Sequence, residues 1–514
     1  MTKKRRIIAA LTCLGLIAAA CGDDEPAGSD TGAPSDATTG DTAGTGTTTG
    51  ETGGPATTTG DTGSDTTTAD TGGDTTTAET GGDTTTAETG GDTTTAETGG
   101  SSVDPADIEF DVGVDEETIR VGMLADLSGA FAPLVTEITE AQRVYWDKVN
   151  ADGGIAGRQI ELVVEDNAYD VPTHLEKYEA IRDDVAIISQ STGSPHTSAI
   201  AQNLVDDDLI AIPLSWYSGW ADADFGQNVF ETYTSYCIES MNGLEWLNKN
   251  RDVQTVAIIS FPGEYGGDGS TGARMAAEAL GLEVVYDGAD QVVPPTAENA
   301  NPDQSAVISQ IVEADPDLVW ASINPATLGS IMSGAIGQGF EGLWSGNSPT
   351  YSFKLLGTEL APLLDQYYIA STYIVTWGTD VPGMEEVVTA MTEGKPDLPV
   401  SDVYILGWTE GQVTKAILER AAENGDMTRA GIVAAANEVE VSFNGLAPDQ
   451  TWAGEPNDFV VRESYIYDVV LDQYQEASLG EGGGSTGWEL LEGPYTSDLA
   501  ADYQYEGPCF EPTG

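Results

Sequence analysis

The amino-acid sequence predicts an α/β protein with two similar lobes, each built on a parallel β-sheet. Apolar runs of strand length alternate with segments of helical period from residue 118 to about 213. The same alternation restarts after residue 229 and continues to about 345. This order is typical of a parallel sheet whose two faces are covered by helices. Two such lobes predict a cleft between them, which is a favoured place for a small-molecule ligand.

The stretch 149–170, VNADGGIAGRQIELVVEDNAYD, sets the frame of the first lobe. A helix ends at its start, and the glycine pair 153–154 breaks it, because glycine takes positive φ without strain. A short apolar strand follows at 160–164, and Asp166 and Asp170 stand just after it. In open parallel sheets, ligands bind at this C-terminal end of the strands.

The remaining elements are read from the same periodicities. In the first lobe we expect strand 119–124, helix 132–149, a helix from 173 to about 183, strand 185–188, a hydroxyl-rich loop 189–195, helix 197–205 and strand 209–213. In the second lobe we expect helix 238–248, strand 255–261, helix 271–280, strand 283–286, helix 306–313, strand 318–323, helix 328–337 and strand 342–345. Two closing strands are predicted at 465–470 and 488–491.

Residues 1–20 have the features of a secretory signal peptide. Four basic residues precede an apolar run that is too short to span a membrane comfortably. The run ends in Leu-Ile-Ala-Ala-Ala-Cys-Gly, which resembles the bacterial lipoprotein box and predicts lipidation of Cys21. Ala18 stands where the box usually has leucine, so cleavage after Ala20 and release of a soluble secreted protein is the alternative.

Residues 21–117 predict a disordered acidic tether. Three identical copies of GGDTTTAET fill 72–98, and looser copies precede them. Such a segment has too little apolar surface to order itself. It would hold the lobes away from a membrane to which Cys21 is anchored, and its threonine runs leave O-glycosylation open.

The charge balance excludes several partner classes. The chain carries 85 acidic and 19 basic residues, for a net charge of −66. Nucleic-acid binding needs clustered Lys and Arg, so no nucleic-acid partner is expected. Docking of the folded body on an anionic membrane is disfavoured for the same reason, and contact with the membrane is expected through the lipid anchor only.

No enzyme chemistry is expected. His196 lies two positions from Ser194 and suggests a nucleophile–base pair, but no Gly-x-Ser-x-Gly turn is present. The other histidine, His174, is expected on an exposed helix face. The glycine-rich stretch 263–269 lacks the Lys-Ser/Thr of a phosphate loop, and the cysteines lack zinc-type spacing. We therefore expect no cofactor and no metal.

Residues 118 to about 471 resemble the solute-binding proteins of ABC importers, specifically the branched-chain amino acid (leucine/isoleucine/valine) binding family with the type I periplasmic binding fold. The resemblance rests on Ile-Arg-Val-Gly at 119–122, Leu-Ser-Gly at 127–129, the stretch 149–167, Glu-Tyr-Gly at 264–266 and Val-Tyr-Ile-Leu-Gly-Trp at 403–408. It implies an α/β fold of two Rossmann-like lobes joined by a three-crossing hinge that closes on the ligand. Lobe one is expected at 118–232 plus 376–445, lobe two at 233–375 plus 446–494, and a C-terminal tail at 495–514.

The resemblance also implies ligand contacts. Ser194, after the third strand, matches the family serine that binds the ligand's carboxylate, and it stands at a helix N-terminus that favours anions. Ser215 and Tyr217 match contacts after the fourth strand, and Tyr265 matches an aromatic residue of lobe two. Simple capping by Ser194 and simple packing by Tyr265 are the alternatives.

Three positions predict an unusual ligand. Asn324 stands where the family has an aromatic residue, and Ser348 falls where amino-acid binders have the carboxylate that binds the ligand's ammonium. A buried ammonium without a counter-charge is costly. We therefore expect an amino-acid-like compound other than a standard α-amino acid, an amide, a urea-like compound or a small organic acid. Trp216, if it is not simply core, favours a flat or apolar ligand face.

The predicted function is a lipid-anchored extracytoplasmic protein of a bacterial cell that captures a small polar organic solute and delivers it to an ABC permease. The alternative is a sensing module that presents its closed state to a membrane receptor. In an oxidising exterior, the two cysteines outside the leader, Cys237 and Cys509, predict a disulfide that ties the tail to lobe two.

Overall fold

The computed structural model describes residues 103–512. The predicted signal peptide, the lipidation site Cys21 and the tether up to residue 102 lie outside the described residues. Within 103–512, no helix is both long enough and apolar enough to cross a membrane.

The strands in chain order are β1 (Glu109–Phe110), β2 (Thr118–Ala125), β3 (Gln159–Asp166), β4 (Ile187–Thr192), β5 (Ala211–Leu214), β6 (Thr255–Ser260), β7 (Glu283–Gly288), β8 (Leu318–Ser322), β9 (Leu343–Gly346), β10 (Ile369–Thr372), β11 (Asp426–Met427), β12 (Glu440–Val441), β13 (Gln450–Thr451), β14 (Ser464–Gln475) and β15 (Ser485–Tyr495). The α-helices are α1 (Ala132–Ala151), α2 (Val171–Ile181), α3 (Ser194–Asp206), α4 (Tyr236–Arg251), α5 (Glu264–Leu280), α6 (Ser305–Ala314), α7 (Pro325–Gly337), α8 (Ala361–Tyr367), α9 (Met384–Gly394), α10 (Tyr404–Asn424), α11 (Arg429–Ala436), α12 (Pro456–Phe459) and α13 (Asp498–Asp502).

Two four-stranded parallel sheets form the centres of the lobes. Their orders are β3-β2-β4-β5 and β7-β6-β8-β9, so each sheet has the same arrangement relative to the chain. The apolar strand residues of β2, β4, β6 and β8 are buried between covering helices. The C-terminal ends of the strands meet at one edge of each sheet, as Ala125 pairing with Asp166 illustrates. The predicted α/β fold with two parallel-sheet lobes is confirmed.

Lobe two carries an antiparallel extension. β10 follows β9 through a parallel bridge between Trp344 and Tyr368, and β14 and β15 add an antiparallel hairpin beyond it. This hairpin contains the two predicted closing strands, which are longer than expected. Near its tip, the Ala477 carbonyl accepts the N–H of Val400, which precedes α10.

The folded part begins earlier than the predicted end of the tether at residue 117. β1 pairs with β11 in a short parallel ladder, and Ile108 and Val114 are buried against the lobe-one core. These apolar side chains provide the burial that the threonine repeats lack. The prediction of a disordered segment is therefore wrong for 103–117.

Helix α5 begins at Glu264, before the predicted start at 271, and includes the glycine-rich stretch. Its glycines allow close packing: a Cβ added to Gly267 would lie 2.5 Å from the Phe510 ring, and one added to Gly272, further along α5, would lie 2.3 Å from the Cys237 carbonyl oxygen of α4. The stretch is therefore a packing surface rather than a loop, which is why its composition misled the prediction.

The C-terminal tail is fixed to lobe two by a disulfide between Cys237 and Cys509, as predicted. The Cys509 N–H donates to the hydroxyl of Ser218 at 2.8 Å, and the Tyr217 hydroxyl donates to the Phe510 carbonyl at 2.6 Å. The tail therefore contacts the loop that follows β5 as well as α4.

Lobe one is secured by a buried arginine. The Arg429 side chain, at the start of α11, donates to the carbonyls of Val185 at 2.7 Å and Asp207 at 3.2 Å, and also to that of Arg182. These carbonyls belong to the segments that precede β4 and follow α3. Arg429 therefore joins three separate parts of the lobe.

Candidate ligand-binding site

A cavity of about 890 Å³, with the open solvent at its mouth included, lies between the lobes. It opens at the C-terminal ends of the parallel strands, where ligands of such sheets bind. Its lining residues are Phe131, Leu134, Val135, Ile138, Tyr169, Thr192, Gly193, Ser194, Leu214, Trp216, Tyr236, Tyr265, Ser348, Pro349, Tyr351, Ser352, Phe353, Thr372, Tyr373, Ile374, Val375, Thr376, Asp402, Val403, Leu406 and Trp488.

The lobe-one wall of the cavity is largely apolar. Leu134, Val135 and Ile138 come from one face of the first turns of α1, where helical spacing brings them together. Phe131 precedes the helix, and Leu214 ends β5. A ligand with an apolar body would bury its surface against these side chains.

Ser194 brings polar groups into this wall. It is the first residue of α3, and Gly193 before it has φ of 101°, a conformation that favours glycine. The Ser194 hydroxyl lies 2.7 Å from that of Ser215, which also accepts the indole N–H of Trp220 at 3.1 Å. The free N–H groups and dipole of the α3 N-terminus make this point suitable for an anion.

An aromatic group covers the same region. The ring of Trp216 lies 4.5 Å from that of Tyr373 and 5.9 Å from that of Tyr236. Burial raises the pKa of Tyr236, and the neighbouring hydroxyls of Ser194 and Ser215 oppose that shift. All three rings line the cavity, so the region offers flat surfaces with hydroxyl groups at their edges.

Two residues of lobe two complete the central part. Tyr265, in the first turn of α5, donates its hydroxyl hydrogen bond to the Ile323 carbonyl at 2.9 Å, so its ring is held in place along the cavity. Ser348 follows β9, and its hydroxyl donates to that of Thr372 at 3.0 Å.

Residues 118–475 match the family described as periplasmic binding protein. The chain belongs to this family. The resemblance seen in the sequence is confirmed by this match, and solved structures of branched-chain amino acid binding proteins share the fold.

Three solved structures place this periplasmic binding protein among its relatives. A fatty acid ABC transporter substrate-binding protein from Thermomonospora curvata is 28% identical, with a TM-score of 0.68, and 77% of this chain and 97% of that chain are covered. A branched chain amino acid ABC transporter protein from Thermus thermophilus with bound valine is 18% identical, with a TM-score of 0.62 and coverage of 75% and 97%. A solute binding protein of an ABC transporter from Rhodopseudomonas palustris BisB5 in complex with 3,4-dihydroxy benzoic acid is 18% identical, with a TM-score of 0.56 and coverage of 68% and 93%. Comparison with curated proteins gives no match.

Of the predicted ligand-binding residues, Ser194, Trp216, Tyr265 and Ser348 line the cavity of the periplasmic binding protein. Ser215 lies one hydrogen bond behind Ser194. The structure therefore brings these five positions together, and their contact with a ligand stays a prediction.

Tyr217 and Asn324 are not among the residues that line this cavity, and their contact with a ligand stays a prediction. The Tyr217 hydroxyl donates its hydrogen bond to the Phe510 carbonyl in the C-terminal tail. The Asn324 amide caps α7 and donates to the Ala130 carbonyl of lobe one at 2.9 Å. Family register placed both residues at strand ends but did not give the direction of their side chains.

The absence of a carboxylate next to Ser348 in the sequence predicted that none lies near it, and this prediction is wrong. Glu239 on α4 is buried, and its carboxylate accepts the N–H of Ser348 at 3.0 Å and the side-chain amide of Asn347 at 2.9 Å. Burial raises the pKa of Glu239 to about 7, against the effect of these hydrogen bonds. The carboxylate comes from a residue 109 positions earlier, so inspection of the sequence around Ser348 could not find it. It lies behind the lining residues, because Glu239 itself does not line the cavity.

The two histidines do not form a catalytic pair with Ser194. The Ser194 hydroxyl pairs with Ser215, and within 103–512 neither ring nitrogen of His196 has a hydrogen-bond partner. His174 is buried, not exposed, with its ring 3.0 Å from the Asn167 amide. Burial lowers the pKa of His196 to about 4, so its ring is neutral at physiological pH. Among the described residues, no cluster of His, Cys, Asp and Glu could hold a metal ion.

A second polar region of the cavity is formed by Asp402, Tyr351 and Trp488. They come from the segment before α10, the segment after β9 and the strand β15. Sequence reasoning did not identify them, because they lie far apart along the chain and meet only when the hairpin packs against the lobes. The available signal in the sequence was Asp402, an acidic residue that stands between valines and close to Tyr404.

The lobes of this periplasmic binding protein contact each other around the cavity. The Lys354 ammonium of lobe two lies 2.8 Å from the Glu137 carboxylate of lobe one. The Ser218 N–H of lobe one donates to the Asp268 carboxylate of lobe two at 3.2 Å, and the Ser218 hydroxyl also donates to it. With the Asn324–Ala130 hydrogen bond, these contacts describe a closed cleft.

Proposed function

We propose that this protein is a lipid-anchored extracytoplasmic binding protein that captures an organic acid with a large apolar body and delivers it to an ABC permease. The observation that carries the proposal is the composition of the cavity. Its walls are mainly apolar and aromatic, and they hold paired serine hydroxyls at a helix N-terminus. Among the described lining residues there is no Lys or Arg.

The α3 N-terminus is the proposed site of the ligand's carboxylate. Backbone N–H groups and the helix dipole stabilise an anion there without a basic side chain. The Ser194 hydroxyl can donate to the carboxylate, while Ser215 and Trp220 hold it in position. The Trp216 and Tyr236 rings would then flank the carbons next to the carboxylate.

An α-amino acid fits less well. Its ammonium is bonded to the carbon next to the carboxylate and would lie close to Ser194. Glu239 is already hydrogen-bonded to Asn347 and Ser348, and it is separated from the cavity by the lining residues. The lining carboxylate, Asp402, belongs to the separate group with Tyr351 and Trp488. A buried ammonium without a counter-charge costs several kcal/mol.

The relative at 28% identity supports a hydrophobic acid. Its name describes a fatty acid ABC transporter substrate-binding protein, and 77% of the present chain is covered. The apolar face of α1, with Leu134 and Ile138, is suited to an alkyl chain or to an aromatic ring. The proposal therefore covers both fatty acids and aryl-substituted acids.

The proposed delivery to a permease rests on the family, and the proposed membrane anchor rests on the leader. A Cys21→Ser variant tests the anchor: we expect the protein in the growth medium or the soluble extracytoplasmic fraction instead of the membrane fraction. Mass spectrometry of the N-terminal peptide would identify the lipid. A wild-type protein with an unmodified N-terminus at Cys21 would contradict the anchor.

Calorimetric titration tests the ligand class. Dodecanoate and 3-phenylpropanoate should bind, whereas leucine and valine should not. Ser194→Ala should weaken acid binding by roughly ten- to a hundredfold, because a hydrogen bond to a charged group is lost. Ser198→Ala, one turn further along α3 and outside the cavity lining, is the matched control and should leave the affinity unchanged. Micromolar binding of leucine or valine would contradict the proposal.

A further inference from the structure

Asp402 presents a buried acceptor to the cavity. Its Oδ1 accepts the N–H of Trp377 at 2.7 Å and the hydroxyl of Thr486 at 2.9 Å. Its Oδ2 has no hydrogen-bond partner within the described part of the chain, although the residue is only 6% exposed. The two donors on Oδ1 fix the carboxyl group, so Oδ2 has a defined direction.

Tyr351 provides a donor at the same place. Its ring packs edge-on against Trp488 with centroids 5.0 Å apart. Its hydroxyl also lacks a partner among residues 103–512, at 5% exposure of the residue. The Asp402 charge is close enough to contribute, after burial, to a raised pKa of Tyr351. Both residues line the cavity, so an acceptor and a donor without partners share its wall, together with the indole N–H of Trp488, which also lacks a partner among the described residues.

An unmatched buried polar atom costs about 1–3 kcal/mol, so two of them in one wall favour a ligand group that satisfies both. A hydroxyl group does this, because it donates to Asp402 and accepts from Tyr351. An amine donates to Asp402 as well. A carboxylate has no proton to donate and would meet the Asp402 charge.

The surrounding charges do not cancel this preference. The Lys354 ammonium is paired with Glu137, which also accepts the hydroxyl of Ser401, the residue before Asp402, at 2.7 Å. Burial raises the pKa of Asp402 to about 6, while the donors of Trp377, Thr486 and the nearby Trp488 indole oppose the shift. A donor from the ligand would restore part of the solvation that burial removes.

We propose that Asp402 and Tyr351 form a second polar subsite, which binds a hydroxyl or amino group carried by the acid away from its carboxylate. The ligand class is then a hydroxylated or aminated organic acid, such as an ω-hydroxy fatty acid or a hydroxyphenyl acid. This inference rests on the proposed function, because it assumes that the carboxylate is held at Ser194.

Matched ligands test the subsite by calorimetry. Dodecanoate, 12-hydroxydodecanoate and dodecanedioate differ only at the far end, and 3-phenylpropanoate with 3-(4-hydroxyphenyl)propanoate provides an aromatic pair. For the wild-type protein we expect the hydroxylated member of each pair to bind roughly ten- to a hundredfold more tightly, the value of one hydrogen bond to a charged carboxylate. The diacid should bind most weakly.

Two variants separate the subsite from the rest of the cavity. Asp402→Asn should remove the discrimination against the diacid, because the amide can donate to a carboxylate. Tyr351→Phe should reduce the preference for the hydroxylated acids. Tyr404→Phe is the control, since its hydroxyl donates to the Pro399 carbonyl outside the cavity lining, and it should keep the wild-type order. Thermal unfolding of each variant checks that it folds.

The outcomes distinguish the two proposals. Equal affinity for the hydroxylated and parent acids in the wild-type protein would overturn the subsite and leave the proposed function standing. Failure of every acid to bind would overturn the proposed function, and the subsite with it. A preference for the hydroxylated acids that Asp402→Asn and Tyr351→Phe both leave unchanged would place the hydroxyl elsewhere and also overturn the subsite.

Discussion

The two lobes share a sheet order but differ in how they are completed. Lobe one is closed by an N-terminal ladder, β1 with β11, and by the buried side chain of Arg429. Lobe two is extended by the β14–β15 hairpin and fastened by the disulfide between Cys237 and Cys509. The common sheets position the cavity, whereas the hairpin of lobe two adds an aromatic side chain, that of Trp488, to its wall.

The walls differ in the same way. The α1 side of lobe one is apolar, while lobe two presents hydroxyls and aromatic rings, including those of Tyr265 and Tyr351. Lobe one adds Ser194 and Asp402 beside its apolar α1 face, so a ligand that fills the cavity meets hydrogen-bonding groups from both lobes. This difference teaches that the fold alone does not set the ligand class. Three predictions test how each lobe is completed and how the lobes contact each other.

Loss of the disulfide should have the largest effect. The double variant Cys237→Ser, Cys509→Ser removes a disulfide between residues 272 positions apart. Removing such a bond costs about 2–5 kcal/mol of unfolding free energy. Guanidinium unfolding should show a lower midpoint for the double variant. The wild-type protein should approach the same midpoint when it is reduced. An unchanged midpoint would mean that the tail contributes nothing to lobe two.

Arg429→Met tests the fastening of lobe one. The variant leaves the carbonyls of Val185 and Asp207 without their donor, which should cost roughly 2–3 kcal/mol. Arg274→Met in lobe two is the matched control, since its ion pair with Asp287 is about half exposed and should contribute less than about 1 kcal/mol. Equal losses for the two variants, measured by denaturant unfolding, would contradict the role given to Arg429.

The contact between the lobes should respond to pH through Asp268. Burial raises its pKa to about 7, against the hydrogen bonds from Ser218 and Cys237. A carboxyl group whose pKa is raised by folding stabilises the protein while it is protonated, and that stability is lost as pH rises through about 7. The unfolding temperature should therefore fall between pH 5 and pH 8.

Asp268→Asn mimics the protonated form and provides the check. Its amide group can donate to the Ser218 hydroxyl while its oxygen accepts the two N–H groups. The fall in unfolding temperature between pH 5 and pH 8 should be smaller than in the wild-type protein, by the equivalent of about 2–3 kcal/mol. An identical pH dependence in the two proteins would assign the effect to other carboxylates of this acidic chain.

The sequence predicted the framework well because strands and helices follow local periodicity. The strands β2, β3 and β4 and the start of α1 were found in this way, whereas the Cys237–Cys509 disulfide followed from the two cysteines outside the leader. Local signals failed where composition conflicted with packing: the glycines of α5 indicated a loop, and the apolar residues Ile108 and Val114 were counted with the tether.

The site was only partly predictable, because side-chain direction depends on tertiary contacts. Ser194 and Ser348, which the family resemblance indicated, do line the cavity. Tyr217 instead bonds to the tail, and Glu239 reaches Ser348 from a helix far earlier in the chain. Asp402 could be found only after the hairpin of lobe two had been placed beside it.

The most direct measurement is mass spectrometry of the small molecules that are extracted from the purified protein. The protein should be isolated from its native host without denaturation, and the same extraction should be made from the Ser194→Ala variant as a control. We predict an organic acid with a large apolar body in the wild-type extract and much less of it in the variant extract. A standard α-amino acid retained by the wild-type protein would contradict the account.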